Sequence, residues 1–133
     1  MTKYKARVYG YHLDLYGHVN NARYLEFLEA ARWDFIEAHM PLSELNRLGI
    51  AFLVVNIDIN YRRPVGLGQL LEIQTSMGHI STKSARVNQK IILSDRNEQV
   101  ADATVTFVIL DNRTKKVQPI TGELKDMLNK FKM

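Results

Sequence analysis

The regular alternation of apolar and polar residues after residue 51 constrains the fold of this chain more than any other feature. From Ala51 to Arg62, the odd-numbered residues from Leu53 to Tyr61 are apolar. The other face carries Val54 and the polar residues Asn56, Asp58, Asn60 and Arg62. Such alternation is typical of a β-strand with one buried face, and polar residues on the opposite face indicate a sheet edge or an interface. Runs at 71–77, 83–93 and 101–109 repeat the pattern after short turns, which predicts an antiparallel meander.

A long helix is predicted before these strands, from about Asn21 to His39. Tyr24, Leu28, Ala31 and Phe35 recur there at helical spacing. Four further apolar residues widen the stripe: Leu25, Phe27, Trp33 and Ile36. A stripe this wide predicts a helix that is enclosed on more than one side. Pro41 ends the helix, and residues 43–49 predict one further helical turn.

The two ends of the chain complete the outline. Residues 3–11 alternate loosely through Tyr4, Val8 and Tyr11, which predicts a first strand. Residues 121–131 form an amphipathic helix with Thr121 placed to cap it, and ordinary packing is its expected role. The order β-α-β-β-β-β predicts an α+β fold in which a curved antiparallel sheet of about five strands covers one long helix.

Composition narrows the classes of function. At 133 residues with 46% apolar content, the chain suits one domain spanning 1–133. The absence of cysteine excludes disulfides, thiolate nucleophiles and cysteine-based zinc sites. The charged start lacks an apolar run, so we expect neither a signal peptide nor a membrane span, and a soluble cytoplasmic protein. A net charge of +4 favours anionic ligands, but the basic residues are scattered and match no nucleic-acid motif, so we expect no nucleic-acid partner.

The segment from Asp14 to Tyr24 combines a lone carboxylate, a glycine turn and two asparagines at the start of the long helix. The carboxylate can act on a proton or an electrophile, and the first N–H groups of the helix lack internal partners. An acid or base beside an oxyanion site is one interpretation. An aspartate that caps a turn is the other, and from the residues alone it is the ordinary one.

The pattern Asp-x-x-Gly-His-Val-Asn-Asn-x-x-Tyr-x-x-x-x-Glu, at residues 14–29, is followed by Tyr-Arg-Arg-Pro at residues 61–64. With the predicted element order, this pattern resembles hotdog-fold acyl-CoA thioesterases of the 4-hydroxybenzoyl-CoA thioesterase type over nearly the whole chain. Residues 10–14, 18–29 and 54–64 resemble most the bacterial long-chain acyl-CoA thioesterases. The resemblance implies a sheet wrapped around the helix, a homodimer or dimer of dimers joined through edge strands, active sites at the interface, no cofactor and no metal.

The resemblance also implies roles for individual residues. Asp14 would be the general base or the nucleophile, and the backbone N–H of Asn21 would bind the thioester oxygen. Supporting residues would be Gly17, His18, Asn20 and Glu29. Coenzyme A phosphates would meet Arg62, Arg63, Lys83 and Arg86, because arginine forks suit phosphate. The implied reaction is hydrolysis of long-chain acyl-CoA to fatty acid and CoA, with the acyl group in an apolar tunnel.

Simpler interpretations remain open for several of these residues. His18 is expected to orient Asp14 by a hydrogen bond rather than to transfer a proton. His12, Asp14 and His18 match no standard metal spacing. Glu29 can form a helix ion pair with Arg32 or Arg23, and the basic strand-end residues can be merely solvated. The alternative functions are hydrolysis of aromatic acyl-CoA, hydrolysis of acyl carrier protein thioesters, and acyl-CoA binding without turnover.

Overall fold

The computed structural model describes residues 1–132, which form three α-helices and one six-stranded antiparallel sheet. The strands are β1 (Thr2–Arg7), β2 (Ile50–Tyr61), β3 (Leu70–Ile80), β4 (Ala85–Leu93), β5 (Glu98–Asp111) and β6 (Val117–Gln118). The helices are α1 (Asn21–His39), α2 (Ser43–Leu48) and α3 (Gly122–Lys130), and Gly10–His12 forms one 3₁₀ turn. The predicted α+β class, with one long helix against an antiparallel sheet, is confirmed.

The order of the strands differs from a simple meander. The sheet runs β1-β3-β4-β5-β2, with the short β6 beside β5. Hairpins join β3 to β4, β4 to β5 and β5 to the short β6, so the prediction that all four long strands pair in sequence is wrong for β2. Residues 62–69 contain Pro64 and two glycines and are too long for a tight hairpin, so β2 crosses to pair with β5 while β1 takes the place beside β3.

Strand β2 lies at an edge of the sheet, as its polar face indicated. Its pairing with β5 shifts between Val54 and Asn56, which leaves Val55 as an extra residue in a β-bulge. The bulge reverses the alternation, so Val54 pairs opposite the buried Phe107, and Leu53 lies on the other face with 45% exposure. Assigning Leu53 to the same face as Ile57 was therefore wrong, because strict alternation holds only on each side of a bulge.

Helix α1 has the predicted bounds and buries the predicted stripe. Tyr24, Leu28, Ala31 and Phe35 are buried, together with Phe27. Leu25 and Trp33 instead remain 38% and 46% exposed. The expectation that the helix is enclosed on more than one side is wrong for these two residues within residues 1–132, because the sheet covers only one flank.

The two ends of the chain differ slightly from expectation. The first strand stops at Arg7, and the 3₁₀ turn replaces its predicted continuation to residue 11. Tyr11 is consequently 67% exposed. Thr121 occupies the cap position of α3 but makes no side-chain capping bond, while Met127 and Leu128 of that helix are buried as predicted. Within residues 1–132, every helix is too short or too polar to cross a lipid bilayer.

Candidate functional site

A closed turn holds Asp14 in place just before α1. Leu13 and Val19 pair across the base of the turn, and the Asp14 N–H donates to the His18 carbonyl at 2.9 Å. The Gly17 N–H donates to the Asp14 carbonyl at 3.1 Å. Gly17 has a φ of +77°, in the left-handed region where a side chain is strained. The turn thus depends on glycine and fixes the backbone from which the carboxylate projects.

One oxygen of the Asp14 carboxylate is hydrogen-bonded within the turn. Its Oδ1 accepts the Tyr16 N–H at 2.9 Å, and Oδ2 has no hydrogen-bond partner within residues 1–132. The turn-capping interpretation is therefore confirmed, and the free oxygen leaves the predicted chemical role of Asp14 open. His18 was expected to orient this carboxylate with its side chain, but the hydrogen bond between Asp14 and His18 joins their backbone atoms. The exposed His18 imidazole makes no hydrogen bond within the described residues.

The start of α1 presents a free backbone donor beside this turn. Asn20 caps the helix, because its Oδ1 accepts the Ala22 N–H at 2.9 Å. The Asn21 N–H, by contrast, has no acceptor within residues 1–132. The dipole of a helix of this length favours negative charge at this end. Asn21 therefore offers its N–H to an anionic or developing anionic oxygen.

Asp14 and Asn21 line one cleft of about 330 Å³. Its other lining residues are Tyr16, His18, Val19, Tyr24, Tyr61, Arg62, Arg63 and Pro64. The structure thus brings together Asp14, His18, Asn21 and the Arg-Arg pair, which lie far apart in the sequence. Gly17 and Asn20 shape the turn and the helix start beside the cleft.

Two tyrosines of this cleft were missed from the sequence. The Tyr61 hydroxyl donates to the Asn21 carbonyl at 3.0 Å and ties the end of β2 to the helix start. Tyr24 packs against Tyr61 with ring centroids 5.3 Å apart. Burial, followed by the proximity of Tyr61 and Asp14, raises the pKa of Tyr24 to about 12, so the phenol stays neutral. Tyr24 lies in the motif at residues 14–29 and Tyr61 in the motif at residues 61–64, so the motifs could have indicated both. The helical spacing of Tyr24 predicted only a packing role.

The four basic residues expected at coenzyme A are split by the fold. Arg62 donates through Nε to Asp102, and Arg63 lies 3.3 Å from Glu98. The bond to Arg62 lowers the pKa of Asp102 and raises that of Arg62. Lys83 and Arg86 are exposed near the other end of the sheet. Arg86 pairs opposite Thr106 of β5, whereas the Arg62 N–H donates to the carbonyl of Val100, six residues earlier in the chain. One chain does not gather all four.

Glu29 faces a second, larger cavity. This cavity of about 600 Å³ lies between the helices and strands β2 and β5, and its walls are mainly apolar. Glu29 makes no ion pair within residues 1–132: Arg23 pairs with Glu26 at 2.8 Å, and Arg32 donates to Gln89 at 3.2 Å. The expected pair with Arg32 or Arg23 is therefore absent from the described chain. Burial lowers the pKa of Arg32, partly offset by Glu29.

Charged and histidine side chains do not converge on a metal-binding geometry anywhere in residues 1–132. His12 is buried and its Nδ1 accepts the Tyr9 N–H at 2.8 Å, while His18 is exposed. The chemistry that the cleft offers is that of a carboxylate beside a backbone N–H: proton transfer or attack on a carbonyl carbon, with its oxygen held at the helix start.

Comparison with known proteins gives consistent results for sequence and structure. The profile of the Thioesterase-like superfamily matches residues 10–128. The chain is 48% identical to the long-chain acyl-CoA thioesterase FadM of Escherichia coli K12, over 94% of this chain and 95% of that protein. It is 30% identical to the acyl-CoA thioester hydrolase YbgC of E. coli O6:H1, over 84% and 83%. The crystal structure of YbaW, a probable thioesterase from E. coli, superposes with a TM-score of 0.93 at 45% identity and covers both chains fully.

These matches confirm the predicted resemblance and the hotdog fold. The motif residues from 14 to 29 and from 61 to 64 fall inside the matched range. The chain belongs to the Thioesterase-like superfamily.

Proposed function

We propose that this protein hydrolyses long-chain acyl-CoA to a free fatty acid and coenzyme A. The observation that carries the proposal is the shared cleft in which a half-buried carboxylate with a free oxygen, Asp14, lies with the free N–H of Asn21. The 48% identical relative is named as a long-chain acyl-CoA thioesterase, and the 30% identical one as an acyl-CoA thioester hydrolase.

The proposed reaction uses one carboxylate and one backbone donor. As a general base, Asp14 takes a proton from water as the water oxygen attacks the thioester carbon. The Asn21 N–H and the helix dipole stabilise the oxyanion, which then collapses, breaks the C–S bond and releases the CoA thiolate to take up the proton. As a nucleophile, Asp14 would instead form a mixed anhydride that water hydrolyses. Both routes use the same side chain.

The acyl chain is proposed to occupy the larger cavity. Its volume of about 600 Å³ lies in the range of sites for small organic ligands and far exceeds an ordinary packing defect. Its walls include Phe35, Phe52, Leu128 and Phe131. An apolar cavity of this size supports a long aliphatic group better than a single aromatic ring.

The cleft and the cavity are proposed to meet across a homodimer, alone or as a dimer of dimers. The free edge of β2 exposes Leu53, Val54 and Val55, and Val54 also lines the cavity. If two β2 edges pair antiparallel about a twofold axis, the Tyr61 end of one strand lies beside the Phe52 end of the other. The cleft of one chain then adjoins the cavity of its partner, so that the cleavable bond and the acyl chain share one site.

Coenzyme A phosphates are proposed to meet Arg62 and Arg63 at the cleft. Each arginine uses one nitrogen in its ion pair, so the remaining N–H groups are available to phosphate. Contact of Lys83 and Arg86 with the nucleotide end of coenzyme A stays a prediction.

The test is thiol release from purified protein with a panel of short, long, unsaturated and aromatic acyl-CoAs and an acyl carrier protein thioester. Asp14→Asn keeps an oxygen for the Tyr16 N–H but cannot act as a base, so release should fall about a hundredfold or more. The matched control is Asp95→Asn, in the exposed turn between β4 and β5, which should retain normal release.

Each outcome of this panel has a distinct meaning. A preference for long chains that depends on Asp14 supports the proposal. Near-normal hydrolysis by Asp14→Asn refutes the role of Asp14, and a preference for aromatic or carrier-protein thioesters corrects the substrate class. Ligand-dependent thermal stabilisation without any thiol release would make the protein an acyl-CoA binder.

Oligomeric state is tested by sedimentation of the double variant Leu53→Lys, Val55→Lys. Like charges placed along a paired edge should dissociate the dimer and abolish thiol release together. A variant that stays dimeric and active would refute pairing through β2.

A further inference from the structure

His12 lies at the point where three parts of the site meet. It ends the 3₁₀ turn, two residues before Asp14, and is only 8% exposed. Its Nδ1 accepts the Tyr9 N–H at 2.8 Å, and its carbonyl accepts the Asn20 N–H at 2.9 Å. One residue thus joins the segment entering the turn to the residue that caps α1.

The His12 ring is also wedged against α1. Its centroid lies 4.7 Å from that of Phe27 and 4.0 Å from that of Tyr11. The packing fixes the ring, and the ring in turn fixes the distance between the Asp14 turn and the helix. A shift of this segment would move Asp14 relative to the Asn21 N–H, the two groups that must face one carbonyl.

The hydrogen bond defines the protonation state that this arrangement needs. A backbone N–H can only donate, so Nδ1 must be unprotonated and the neutral ring carries its proton on Nε2. Protonation of Nδ1 would set two donors against each other. The charged groups acting on the ring are Arg23 and Glu26 of α1, which pair with each other, and its other neighbours are the aromatic rings of Tyr9, Tyr11 and Phe27.

We propose that neutral His12 is a positioning residue that holds the Asp14 turn against the start of α1, and that its protonation in mild acid releases this alignment. The proposal rests on the proposed thioesterase function for its catalytic readout, and on the hydrogen bonds of His12 for its structural one. Burial and then Arg23 lower the pKa of His12, against an opposing effect of Glu26. Because its pKa lies below the ordinary histidine value of 6.5, the ring is neutral at pH 7 and becomes charged only at lower pH.

Two substitutions separate the acceptor from the ring. In His12→Asn, the side-chain oxygen takes the place of Nδ1 and does not titrate. In His12→Phe, the ring packing remains but the acceptor is lost. His79→Asn is the matched control, because His79 is exposed on β3 and far from the turn in the fold.

The first measurement is the pH dependence of kcat/KM for a long-chain acyl-CoA between pH 5 and 8. The wild type and His79→Asn should lose activity as the pH falls through the pKa of His12, and the loss should level off at about tenfold, the cost expected when the acceptor is removed in His12→Phe. His12→Asn should lose this dependence and stay within about threefold of the wild type at pH 8, where one neutral acceptor replaces another. His12→Phe should have kcat lowered about tenfold at every pH, with KM changed much less, because alignment rather than binding is lost.

The second measurement does not depend on activity. The backbone amide NMR signals of Tyr9 and Asn21 in the wild type should titrate together with the His12 ring, and the Asn21 titration should vanish in His12→Asn. An acid dependence that persists in His12→Asn, or amides that ignore the His12 titration, overturns the proposal. If no thioester is cleaved by the wild type, the proposed function fails, and the amide titration alone decides the role of His12 without requiring any variant to fold.

Discussion

Replacing the helix cap Asn20 tests where the negative charge forms, because the backbone N–H of Asn21 cannot itself be removed by substitution. Asn20→Asp is isosteric and preserves the cap, since aspartate serves as well as asparagine at this position and its charge favours the helix dipole. Asn20→Ala removes the acceptor of the Ala22 N–H. The two variants therefore alter charge and capping separately.

Asn20→Ala is expected to lower stability, whereas Asn20→Asp is expected to lower activity without lowering stability. Loss of the cap in Asn20→Ala costs about 1 kcal/mol, which lowers Tm by about 3–5 °C in a domain of this size. Asn20→Asp should leave Tm unchanged or raise it. Its carboxylate, about 5 Å from an oxyanion at the helix start, repels that charge by about 1–3 kcal/mol as the effective dielectric constant falls from about 80 to about 20. This repulsion corresponds to a decrease of roughly 5- to 150-fold in kcat.

The assay combines thermal unfolding with thiol release at saturating long-chain acyl-CoA. Raising the ionic strength should recover part of the lost rate in Asn20→Asp, because position 20 is exposed and salt screens the introduced carboxylate. A stable Asn20→Asp protein with wild-type kcat would refute the placement of the oxyanion at the start of α1.

Three other substitutions probe the cavity, the buried polar network and the cleft rim. Phe131→Leu enlarges the cavity by shortening one of its wall residues, so the order of kcat/KM among dodecanoyl-, hexadecanoyl- and octadecanoyl-CoA should move toward the longer chains; an unchanged order would refute acyl binding there. Gln89→Leu deprives Arg32 of its buried acceptor and should lower the free energy of unfolding by about 2–3 kcal/mol in urea, and an effect below about 0.5 kcal/mol would contradict this. Hydrogen bonding to Arg62 lowers the pKa of Asp102 below the ordinary aspartate value of 3.8, so this contribution to stability is present above that pH and is lost as the pH falls through the folded-state pKa. In Asp102→Asn, unfolding followed by circular dichroism should lose that part of its acid dependence, and an unaltered profile below pH 4 would show that the pair contributes nothing.

Local sequence patterns predicted most of the elements because each depends on nearby residues. The stripe through Tyr24 and Phe35 defined α1 to its observed ends, and the alternating runs located four strands within a few residues. Asn20 and Gly17 follow from capping and turn chemistry, which involve only a few consecutive residues. The carboxylate and the helix start are adjacent in the chain, so their proximity was predictable too.

The sequence by itself determined the α+β class, the long helix, and the pairing of Asp14 with the start of α1. Only the tertiary structure decided that β2 pairs with β5, that a bulge at Val55 reverses its faces, and that Tyr61 and Arg62 join the cleft while Glu29 faces the other cavity. The physical reason is range. Helix periodicity, turns and caps act over a few residues, whereas strand order and the meeting of distant side chains depend on which long-range pairings bury the most apolar surface after loop closure.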